Sequence, residues 1–126
     1  SVFPDARQGT VVGYQPDQGQ PDGTILFSDF QLAGQWFSAM DSGAQLPEGF
    51  DFNEAVSLTV QCADQAEIDH FWQALSAVPE AEQCGWCKDR FGVSWQVVPA
   101  AMEELMARPG AYQKMLAMKK LVIADF

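Results

Sequence analysis

Residue types able to do chemistry are few in this chain, and the first to weigh are the thiols of Cys84-Gly85-Trp86-Cys87. A CxxC pair suggests redox work, which requires the first thiol at a helix N-terminus, where the dipole stabilises a thiolate. Here the motif falls in a predicted strand ahead of a charged turn, Lys88-Asp89-Arg90. Strand residues three apart point to opposite faces, so disulfide geometry there is poor. Zinc would need two further soft ligands, and Cys62 is the only other thiol. Structural cysteines are the better reading.

His70 is the sole histidine. At helical angles it lies opposite the apolar stripe Ile68, Phe71, Trp72 and Leu75, on a solvent face. No second imidazole exists to serve a Ser-His or Cys-His nucleophile. What remains is polar and uncharged. In the run 93–98, alternation puts Ser94, Gln96 and Val98 on one face and Trp95 and Val97 on the other. In the run 55–62 it puts Ser57, Thr59 and Gln61 opposite Val56, Leu58 and Val60. One face of each strand suits a helix, and the other lines whatever the sheet encloses. Lys88-Asp89-Arg90 reads as a solvated turn, with Arg90 as an alternative anchor for an acidic ligand.

The elements that position these residues follow from pattern and punctuation. Residues 10–15, 23–32 and 35–40 read as a three-stranded antiparallel meander, with a Pro/Gly/Asp-rich loop at 16–23 and a tight turn at Ala33-Gly34. Residues 41–53 have no period and read as a linker, in which Phe50 and Phe52 serve as anchors or as a lid, anchoring being the commoner role. A strand at 55–62 leads into a helix opened by an acidic capping box, Asp64 to Glu67, and stopped near Val78-Pro79. Residues 83–99 form a hairpin ended by Pro99. Helices follow at 100–107 and 112–119, separated by Arg108-Pro109-Gly110, and residues 121–126 suit a short terminal strand. Met102, Met106, Met115 and Met118 fall at helical spacing and suit core or dimer packing.

The 126 residues, 48% of them hydrophobic, suit one domain with a real core. A formal net charge of -10 argues against non-specific nucleic-acid binding, which rests on Lys and Arg neutralising phosphates, and against an anionic membrane surface. No apolar run approaches the ~20 residues of a membrane span. Three cysteines, an odd number, do not suggest a secreted disulfide framework, so a cytoplasmic location is expected.

The block 83–99, QCGWCKDRFGVSWQVVP, together with FNEAVSLTVQCADQAEIDHFWQAL and QKMLAMKKLVIADF, resembles the PhnB-like family of the vicinal oxygen chelate superfamily, which holds glyoxalase I, bleomycin-resistance proteins and extradiol dioxygenases. The resemblance implies an α+β fold of paired βαβββ modules around a cup. The first module, 1–43, lacks its first strand and most of its helix; a linker spans 44–54, and 55–126 is the second module with C-terminal helices. It also implies a homodimer. Metal-using relatives carry His or Glu at strand positions that fall here on Ser57 and Gln96, so carboxylate and imidazole give way to neutral groups. The expectation is a small organic ligand in a polar cup formed by Ser57, Thr59, Ser94 and Gln96, with no metal and no cofactor. A metal-dependent lyase or dioxygenase, or a ligand-sequestering protein, are the alternatives, and no catalytic residue is assigned. Some relatives are labelled demethylubiquinone methyltransferases, but no glycine-rich strand-to-helix turn supports that chemistry here.

Overall fold

The computed structural model describes every residue except 1, 45, 46 and 48, so part of the linker expected at 44–54 lies outside the described residues. The chain divides into two compact units, Ser1–Phe50 and Asp51–Phe126.

The first unit is the expected meander. Strands β1 (Arg7–Gly13), β2 (Ile25–Leu32) and β3 (Gln35–Met40) pair antiparallel in sequence order. β1 begins three residues before the expected 10–15, because Gly9 starts a bulge rather than a break. Gly9 and Thr10 together oppose Asp29, whose Oδ1 accepts the Thr10 N–H. A Cβ at Gly9 would collide with that same carboxylate. Ala33 and Gly34 both have positive φ, 47° and 77°, the two-residue turn whose twist matches a hairpin. Directly across the β2–β3 pair, Phe30 stacks on Phe37 with ring centroids 5.7 Å apart.

The second unit builds one sheet around strand β6 (Ser94–Pro99), flanked in parallel by β4 (Ser57–Cys62) and antiparallel by β5 (Trp86–Lys88). A parallel pair needs a crossover, and helix α1 (Gln65–Leu75) supplies it. Asp64 accepts the Glu67 N–H at 3.0 Å, and Glu67 reaches back to the Ala63 N–H at 2.8 Å, the expected acidic box displaced by one residue. Ile68, Phe71 and Leu75 of the expected stripe are buried, while Trp72 is half-buried and His70 is exposed.

Two expectations are corrected at the ends of the hairpin. The strand does not start at Gln83 but at Trp86. Cys84 and Gly85 are the two central residues of a tight turn, with φ of 51° and 85°, and Gln83 and Trp86 exchange backbone hydrogen bonds across it. Nor is Asp89 merely solvated. Its Oδ1 accepts the N–H groups of Phe91 and Val93, and its Oδ2 accepts the Trp95 indole N–H at 2.9 Å. That one carboxylate sets the geometry of the turn before β6.

Helices α2 (Met102–Met106) and α3 (Ala111–Ala117) are shorter than expected. Residues 121–126 form no strand; Ile123–Asp125 is a single 3-10 turn. Leu121 and Phe126 instead plug a core with Leu105 and Ala111, and Met102, Met106, Met115 and Met118 pack against it. The Gln65 amide fastens the backbone of this segment, donating to the Leu121 carbonyl and accepting the Ile123 N–H. Phe50 and Phe52, read as anchors, are both exposed.

Candidate functional site

The site is built on one face of the β4–β6–β5 sheet. Register settles which side chains meet. Ser57 lies beside Ser94 and Thr59 beside Gln96 across the parallel pair, while Lys88 lies opposite Ser94 and Trp86 opposite Gln96 across the antiparallel pair. Paired residues share a face, so all six side chains project together.

Gln96 Nε2 donates to Ser57 Oγ at 2.9 Å. Thr59 is on the same face and exposed. Ser94 is the unusual member. It is only 2% exposed, and its hydroxyl has no hydrogen-bond partner among the described residues. A buried polar group left unpaired is costly, which makes a vacant hydroxyl of this kind a pointer to something that would bind it. Ser94 borders a cavity of about 290 Å³ whose other walls are Glu54, Ala81, Trp86, Cys87 and Lys88.

Sequence reasoning missed Lys88 and Glu54. Lys88 Nζ pairs with Glu54 Oε1 at 2.5 Å at the edge of this cavity. The bond from Lys88 holds the Glu54 carboxyl below the usual carboxylate range. The available signal was the hairpin register, which puts Lys88 across from Ser94 once the turn is placed at Asp89. Arg90 sits instead over the Phe91 ring, 4.7 Å from its centroid.

The three thiols are free. Burial pushes Cys87 up to about 11, helped by the negative charges of Glu82 and Asp89, so it is a poor nucleophile at neutral pH. Cys62 is likewise pushed up to about 11 by burial, with Glu67 and Asp64 adding. Among the described residues, no group of three His, Cys, Asp or Glu side chains is placed to hold a metal. Ser57 and Gln96, which the family resemblance sets at ligand positions, are neutral and bonded to each other. This donor set does not fit a divalent ion.

Residues 1–98 match the family described as 3-demethylubiquinone-9 3-methyltransferase. The chain belongs to this family. It is a PhnB-like member of the vicinal oxygen chelate superfamily, with module topology to match. It is similar to a solved PhnB protein from Bacillus cereus that carries the same methyltransferase name provisionally: 29% identity over 77% of this chain and 82% of that chain, with a TM-score of 0.64. No curated protein matches.

The methyltransferase name implies a nucleotide-like methyl donor, and among the described residues the β4–α1 junction does not fit one. At the β4–α1 junction the N–H groups of Ala63 and Glu67 are already taken by the carboxylates of Glu67 and Asp64. An acidic, self-capped helix start repels a phosphate or carboxylate rather than cradling it.

Proposed function

We propose that this PhnB-like protein binds a small organic molecule on the polar face of the second unit's sheet, without a metal. Ser94 carries the reading, since the residue borders the cavity and its buried hydroxyl is unpartnered. Ser57, Thr59 and Gln96 extend the same face as neutral hydrogen-bonding groups that orient an oxygenated ligand. In this reading the protein is cytoplasmic and acts as a homodimer, as the family resemblance implies; the free thiols and the acidic charge support the location.

The test is a ligand-observed NMR screen of small oxygenated compounds against wild type and Ser94→Ala, which removes only the hydroxyl and adds no bulk to the cavity wall. Compounds that bind wild type should bind the variant about tenfold or more weakly, the weight of a buried hydrogen bond. Equal binding to both proteins would sink the proposal. Metal analysis of the purified protein is the second check, where stoichiometric Ni, Zn, Fe or Mn would overturn the metal-free reading.

A further inference from the structure

Ser94 and Lys88 are cross-strand partners in the β5–β6 pair, and both residues line the cavity, the Ser94 hydroxyl lying buried in its wall. The two partners of the Lys88–Glu54 pair are unequally placed. The Lys88 side chain is 24% exposed, whereas that of Glu54 is 63% exposed. Glu54 rides on the turn before β4, where the Asn53 side chain accepts the Ala55 N–H. Losing an exposed partner costs little, but leaving a half-buried ammonium unpaired costs more. The replaceable member is therefore the carboxylate.

Neighbouring acids do not compete for Lys88. Asp89 is occupied by two backbone N–H groups and the Trp95 indole, and Glu82 by Ser76 and Lys119. The remaining walls are Trp86, Ala81 and Cys87, which offer apolar surface, and the volume of about 290 Å³ sits at the small end for ligand pockets.

We infer that the cavity takes a small carboxylate with an apolar body, its carboxylate displacing Glu54 from Lys88 and accepting the Ser94 hydroxyl. This rests on the binding reading above and names its ligand class. Glu54 then acts as a built-in competitor that covers the ammonium when no ligand is bound. Trp86, two residues from Lys88 on the same face, provides the surface on which the ligand body lies.

Benzoate and its neutral isostere benzamide test this directly, with the intact chain titrated and followed by Trp fluorescence and by the carboxyl NMR signal of Glu54. Benzoate should bind at least about tenfold tighter than benzamide, and it should return the Glu54 titration towards the ordinary carboxylate range. Glu54→Gln, at an exposed position, should tighten benzoate about two- to fivefold. Lys88→Gln should erase the preference for benzoate, and Ser94→Ala should weaken it about tenfold. Equal binding of benzoate and benzamide, still weakened by Ser94→Ala, would overturn the carboxylate inference while leaving the pocket intact. No binding of benzoate and no change at Glu54 would also overturn it, and the neutral-compound screen then decides the pocket separately.

Discussion

At the scale of single residues, chemistry here follows burial more than residue type. Cys62 and Cys87 are nearly solvent-free, and both thiols are pushed from an ordinary value near 9 up to about 11. Below pH 9 folded and unfolded chains both hold these protons. Between 9 and 11 the unfolded chain releases them while the folded chain keeps them, so stability falls with rising pH in that window. The urea midpoint should drop between pH 8 and pH 10.5, and the drop should shrink in each of Cys62→Ala and Cys87→Ala. A drop of unchanged size in both would remove the thiols as its cause. Alternation alone groups Ser94 with Gln96 on one side of β6 and Ser57 with Thr59 on one side of β4, but only the β4–β6 register puts the two pairs on the same face. Lys88 and Glu54 were not legible from it. A charge next to a turn looks solvated until register shows what lies across from it.

At the scale of elements, local signals that agree were easy to read and those that conflict were not. The α1 period and its Asp64–Glu67 cap point the same way, and the helix is where they place it. The Cys84-Gly85 turn lacks the Asn-Gly signature of its conformation, so apolar neighbours made it look like a strand. Residues 121–126 look like a strand for their Leu-Val-Ile run, yet Leu121 and Phe126 are consumed by the core and Gln65 takes the backbone. Two consequences can be measured by chemical denaturation. Cys84→Asn suits the left-handed conformation better than cysteine and should stabilise the protein by about 0.5–1 kcal/mol. Gly85→Ala should destabilise it by about 1–3 kcal/mol, since a Cβ there meets Leu121 and the Val97 carbonyl at 3.0 Å in a backbone with φ of 85°. Asp89→Ala strips acceptors from two backbone N–H groups and the Trp95 indole; a loss of about 2–3 kcal/mol is expected, with a shift in Trp emission. If Asp89→Ala left both unchanged, the turn would be held by something other than that carboxylate.

At the scale of the whole molecule, the two units differ in how much each buries for itself. Asp51–Phe126 owns a helix-on-sheet core around Ile68, Phe71, Leu75 and Val97, and a second cluster around Leu105, Leu121 and Phe126. Among the described residues of Ser1–Phe50, Phe3 alone is buried, while Val11, Trp36 and Met40 are 43%, 53% and 74% exposed. A three-stranded sheet needs a buried apolar face to be stable in isolation, and hydrogen bonds alone contribute too little net free energy to replace it. Residues 51–126 expressed alone should therefore unfold cooperatively in urea and give dispersed amide NMR signals. Residues 1–50 alone should give the narrow dispersion of an unfolded chain, because nothing within that stretch offsets the entropy of ordering its backbone. Dispersed signals from the 1–50 fragment as a monomer would show that the meander carries its own stability, and the dependence of the first unit on surface supplied from outside it would be wrong.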